Sequence, residues 1–61
     1  MDLVLKELKN QERSVAWLGR QLGVSKTAVY NWAWGRVIPS RAYKLAMAYV
    51  LGKPYDWLFN E

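Results

Sequence analysis

Apolar side chains recur along this chain at steps of three and four, interrupted by serine, glycine and proline, and that rhythm predicts five short helices and no strand. Leu3, Leu5 and Leu8 stand among Lys6, Glu7 and Lys9 in a first helix over residues 2 to 10, with Asp2 suited to its positive end. Asn10, Gln11, Glu12 and Arg13 form the connection. Ser14 is placed to cap a second helix whose inward residues are Val15, Leu18 and Leu22. Gly23 follows as the turn, because glycine enters the left-handed region at little cost, and Val24 plugs the corner. Ser25 caps a third helix with Ala28, Val29 and Trp32 on one side, ending near Trp34 with Gly35 as its stop. Pro39 disfavours a helix through Ile38, Ser40 caps a fourth to about Leu51, and Gly52 closes it. Pro54 opens a short fifth helix, Tyr55 to Phe59. The expectation is a single all-α domain over residues 1–61, with a core of Leu5, Leu8, Leu18, Leu22, Val29, Trp32, Ile38, Leu45, Ala48, Leu51 and Leu58.

The third helix has a second side. Lys26, Thr27, Tyr30 and Asn31 bring a cation, a hydroxyl, a phenol and a carboxamide, groups that meet base edges and phosphates. A capped helix, a glycine turn and an acid-free second helix over about residues 14–34 form the pattern of a helix-turn-helix DNA reader. Lys26 and Thr27 fall in the first turn, the part of such a helix that enters a groove deepest. Asn31 is suited to a bidentate pair with adenine, and Tyr30 to a phosphate or a thymine methyl. Trp32 faces inward and belongs to the core.

Leu18-x3-Leu22-Gly23-Val24-x4-Val29-x2-Trp32 resembles the helix-turn-helix of lambda-type phage repressors and Cro proteins. The continuation strengthens the likeness: Gly35-Arg36-Val37-Ile38-Pro39-Ser40, then Ala48-x2-Leu51-Gly52, then Asp56-Trp57-Leu58. The similarity runs over roughly residues 13 to 60 and is closest to a short, single-domain Cro protein. It implies a compact five-helix fold of the lambda-repressor kind, with the first, second and sixth positions of the reading helix on bases; these are Lys26, Thr27 and Asn31. Three positions depart from the family. Val15 stands where the family often has a phosphate-binding Gln, and Gly19 where it usually packs Ala between the two helices. The first leaves one phosphate contact without its usual side chain; the second costs some helix propensity. Trp34 lies one turn after Tyr30, where the family often has a small polar residue. It can pack over the Gly35 loop or lie along the sugar–phosphate backbone.

Charge sharpens the picture by its placement. Nine Lys and Arg against five Asp and Glu give a net +4, yet no acid lies between Arg13 and Lys53, a stretch with seven basic residues. A solvated surface without a partner usually mixes its signs, whereas a polyanion-binding face excludes acids. Arg36, Ser40 and Arg41 at the start of the fourth helix, with Arg13 and Ser14 at the second and Ser25 at the third, are the expected phosphate contacts. With neither Cys nor His there is no disulfide framework or thiolate site. The acids Asp2, Glu7, Glu12, Asp56 and Glu61 have no metal-binding spacing, so no metal or other cofactor is expected. The longest apolar run, Leu45 to Leu51, is too short to span a membrane, which points to the cytoplasm.

The carboxyl-terminal third carries more apolar surface than one small core needs. Tyr43 to Leu51 is apolar around most of its helix except at Lys44, and Tyr55, Trp57 and Phe59 add to it. One reading roofs the core with these aromatics. The other places Met47, Val50, Tyr55, Trp57 and Phe59 in a two-fold homodimer interface, as a reader of a pseudo-palindromic operator requires. The leading function is a sequence-specific repressor of double-stranded DNA that acts by covering a promoter. The alternative is an antitoxin-type protein-interaction module that also binds its own promoter. An enzyme is disfavoured: there is no His, no Cys, no paired carboxylates and no glycine-rich phosphate loop.

Overall fold

The computed structural model describes residues 1–59 and is all-helical, with five helices among them: α1 Asp2–Asn10, α2 Val15–Leu22, α3 Lys26–Ala33, α4 Arg41–Leu51 and α5 Tyr55–Phe59. Glu61, one of the acids considered above, lies outside the described residues. Serine starts three of the helices. Ser14, Ser25 and Ser40 hold extended backbones, and their Oγ atoms accept from the N–H groups of Trp17 (3.0 Å), Ala28 (3.2 Å) and Tyr43 (3.3 Å). Each cap satisfies one of the four N–H groups that a helix start leaves unpaired.

One device stops four helices. A left-handed residue follows the helix, and the next N–H reaches back to a carbonyl five residues earlier. Val24 donates to the Gly19 carbonyl (2.9 Å) past Gly23, Arg36 to Asn31 (2.9 Å) past Gly35, and Lys53 to Ala48 (3.1 Å) past Gly52. At the end of α1 the same bond runs from Arg13 to Leu8 (2.8 Å), but the left-handed residue is Glu12, with φ 56°.

The core gathers Val4 and Leu8 of α1, Leu18 of α2, Val29 and Trp32 of α3, Met47, Ala48 and Leu51 of α4, and Leu58 of α5. Seven of these were expected from the sequence. Leu5 and Leu22 are half-buried against the core rather than inside it. Two expectations are corrected outright. Ile38 is 82% exposed because Pro39, the residue ahead of the Ser40 cap, turns inward in its place. Leu45 is 46% exposed because α4 buries Met47, Ala48 and Leu51, which leaves Leu45 on the outer side with Arg41 and Tyr49. Met47 is wholly buried, so it belongs to the core of the monomer and not to an interface between copies.

α2 packs directly on the turn that leads into α3. A Cβ built on Gly19 would sit 2.8 Å from the Val24 carbonyl oxygen and 3.4 Å from the Lys26 nitrogen, so glycine at this position lets α2 lie against that turn. Tyr43 meets Trp32 with ring centroids 5.1 Å apart and ties α4 to α3. No helix among the described residues is long and apolar enough to cross a membrane.

Candidate nucleic-acid interface

α3 buries Val29 and Trp32, and the helical repeat turns Lys26, Thr27 and Tyr30 to solvent on its other side. Lys26 and Tyr30 lie one turn apart on that face. Asn31 stands at its flank, half-buried, and its carbonyl oxygen accepts the N–H groups of Arg36 (2.9 Å) and Val37 (3.3 Å). That pair of bonds holds residues 35–37 against the end of α3.

The outward face continues past the helix. Trp34 is 65% exposed; its ring lies 5.5 Å from that of Tyr30, tilted by 34°. The guanidinium of Arg36 lies over the same indole at 5.1 Å from its centroid. Arg36 of the following loop covers part of the ring, and most of its surface stays exposed. Arg36 is thereby brought beside Tyr30 through Trp34, a grouping the sequence spacing did not give.

The expected phosphate contacts fall at three helix starts. Ser14, Ser25 and Ser40 are exposed caps whose Oγ atoms accept backbone N–H groups, leaving each hydroxyl proton to donate outward. None of α2, α3 and α4 has an acid in its first turn, whereas α1 has Asp2 and α5 has Asp56. The partial positive charge at the first three starts is therefore not neutralised by a neighbouring carboxylate in the same turn. Arg13 and Arg41 are exposed near two of these starts but are not brought together: Arg13 lies over Trp17 at 4.7 Å, Arg41 over Tyr55 at 5.3 Å.

Lys44 over Phe59 (5.6 Å) and Lys53 over Trp57 (5.7 Å) bring the cation–aromatic contacts among the described residues to five. A charged stem laid along a ring keeps fewer rotamers and meets an anion at a lower entropic cost. Arg13 and Lys53 lie in the connections ahead of α2 and α5, so no helical spacing in the sequence marked their pairing with Trp17 and Trp57.

The residues expected at a dimer interface separate. The Tyr55 and Phe59 rings meet at 5.3 Å, tilted by 44°, and both lie half-buried against the core, as does Val50; Trp57 is 47% exposed. Tyr49, at 88% exposure, is the most open large side chain on α4. Among the described residues no group of three or more His, Cys, Asp or Glu gathers where a metal ion might be held.

Comparison with protein-family models, curated proteins and solved structures finds no match to this chain.

Proposed function

We propose that this chain is a sequence-specific binder of double-stranded DNA, a Cro-like transcriptional repressor in which α2 and α3 form a helix-turn-helix. The observation that carries the reading is the outward face of α3. Lys26, Thr27 and Tyr30 are exposed there with Asn31 at the flank, and the first turns of α2, α3 and α4 carry no acid. In this reading α3 enters the major groove by its first turn. Lys26, Thr27 and Asn31 pair with base edges, and Tyr30 lies against a thymine methyl or a phosphate. Arg13, Ser14, Ser25, Arg36, Ser40 and Arg41 hold the phosphates that fix its register.

The size of the molecule adds a requirement. Its extents are 24 × 24 × 18 Å, while half-sites read from one side of B-DNA are about 34 Å apart. One copy therefore serves one half-site, and a pseudo-palindromic operator takes a homodimer. Repression follows by occupancy of a promoter, in the cytoplasm of the cell that carries it. No covalent chemistry is involved, in keeping with a chain that has neither His nor Cys.

Selection of binding sites from random duplex DNA, followed by footprinting, tests the reading. The expected result is a pseudo-palindrome with half-sites one helical turn apart. Affinity should fall with salt at a log–log slope of about −0.9 per phosphate neutralised. Asn31→Ala should cost roughly 1–3 kcal/mol on the selected site and relax the choice at one base. A flat salt dependence, or no selected sequence, would overturn it.

A further inference from the structure

Trp34 has no part in the core and none in the base contacts assigned above, yet it is held in place from two sides. The helical repeat sets it one turn from Tyr30, and the stop of α3 brings Arg36 back over its ring. The carbonyls of Asn31 and Trp32 accept from Arg36 (2.9 Å) and Gly35 (3.2 Å), so the loop that carries the guanidinium is bonded to the helix. The product is a fixed row of phenol, indole and guanidinium at the border of the α3 face, with its central ring 65% exposed.

We infer that Tyr30, Trp34 and Arg36 form a strand-holding site for duplex DNA, in which the indole packs on a deoxyribose at the rim of the groove and Arg36 takes the adjoining phosphate. The inference rests on the proposal that α3 enters the major groove. Charge supports this occupant, since a cation is built into the row and no acid lies between Arg13 and Lys53. Geometry excludes a base held between the two rings. Their centroids are 5.5 Å apart, whereas an inserted base needs about twice the ~3.4 Å stacking rise. In an intact duplex the base faces are stacked away, and what a groove rim offers to an indole is sugar C–H surface beside phosphate. An apolar contact of this kind adds affinity without reading sequence and without releasing a counterion.

That last property separates Trp34 from Arg36 by experiment. Wild type, Trp34→Ala, Trp34→Phe and Arg36→Ala are titrated over a range of salt with the selected duplex, an unrelated duplex and a single strand. Trp34→Ala should weaken both duplexes by about tenfold, a loss of about 1.4 kcal/mol, and leave the salt slope unchanged. Trp34→Phe should recover most of that loss. Arg36→Ala should weaken both duplexes and make the slope shallower by about one. In the wild type, duplex DNA should protect from acrylamide the part of the indole fluorescence that Trp34→Phe removes.

Wild-type duplex binding with Trp34→Ala unaffected would end this inference and leave the proposed function standing. A loss of preference at a single base would make Trp34 a reader, not a holder of the strand. A loss confined to single strands would assign it to base stacking, and either result overturns the inference. If the wild type binds no duplex, the reading beneath it fails instead. Circular dichroism on Trp34→Ala should match the wild type, because the side chain lies outside the core; an unfolded variant would also count against the inference.

Discussion

Glu12 holds the left-handed backbone that glycine supplies at the ends of α2, α3 and α4. An L side chain there costs about 1–2 kcal/mol, and glycine's greater freedom in the unfolded chain gives back roughly 0.5–1 kcal/mol. Glu12→Gly should therefore raise stability by up to about 1 kcal/mol, read as a higher midpoint in urea; a lower midpoint would show that the Glu12 side chain has a stabilising partner. Gly19 carries the opposite lesson. Its sequence neighbours show only a lost helix propensity of about 1 kcal/mol relative to Ala, but its backbone lies so close to the turn leading into α3 that a Cβ would meet the Val24 carbonyl at 2.8 Å. Gly19→Ala should lower stability by about 1–3 kcal/mol net, as overpacking against backbone does, and a thermal melt would read it. A stabilised variant would mean that α2 and α3 separate easily. Neither residue was legible from the sequence in these terms. A left-handed Glu has no compositional mark. The resemblance placed Gly19 between the two helices, but only the structure shows a backbone oxygen where its Cβ would go.

At the scale of elements, the helices whose apolar and polar positions alternate cleanly were legible, and those with continuous apolar runs were not. Ser14, Ser25 and Ser40 cap where the sequence placed them, because a serine ahead of an amphipathic run has one favourable conformation. In α1, Leu3, Val4 and Leu5 are consecutive, so the pattern leaves the phase of the helix open. The structure buries Val4, Glu7 and Leu8, with Leu5 at the margin. Glu7, only 6% exposed, is part of the reason. Gln11 Nε2 donates both to Glu7 Oε2 and to the Leu51 carbonyl oxygen, each at 2.9 Å, and so joins α1 to the end of α4. Gln11→Ala should cost about 1–3 kcal/mol, since it removes the partner of a buried carboxylate and of a helix-end carbonyl. Loss of the tie should also speed amide exchange in the last turn of α4. Unchanged exchange there would mean water replaces the amide without loss. α4 hid its phase for the same reason as α1: between Tyr43 and Leu51 only Lys44 is charged, and Leu45 and Met47 exchanged their expected sides.

At the scale of the whole molecule, the proposed dimer needs a surface on which two copies can meet. The surplus of apolar residues near the carboxyl end was legible, but its division between core and surface was not, because composition cannot say which aromatics roof a monomer. Met47 is core, and Tyr55, Phe59 and Val50 lean on it. That leaves Trp57, 47% exposed with Lys53 over its ring, as the remaining candidate of the original set. A two-fold contact through Trp57 would bring the two Lys53 side chains towards each other, since Lys53 lies over that ring, on molecules that each carry +4. Like charges brought together oppose association until phosphates lie nearby. The proposal is therefore a dimer weak in free solution and completed on the operator. Sedimentation equilibrium should find self-association that strengthens as salt screens the repulsion, and titration of the selected duplex should be cooperative with two copies bound. Trp57→Lys should abolish the cooperativity and leave circular dichroism and half-site affinity unchanged. Phe59→Lys should instead lower the melting temperature, because its ring packs on the core. If Trp57→Lys binds the full operator as cooperatively as the wild type, α5 is not the meeting surface. The outer side of α4, with Leu45 and Tyr49, would then be the next surface to mutate.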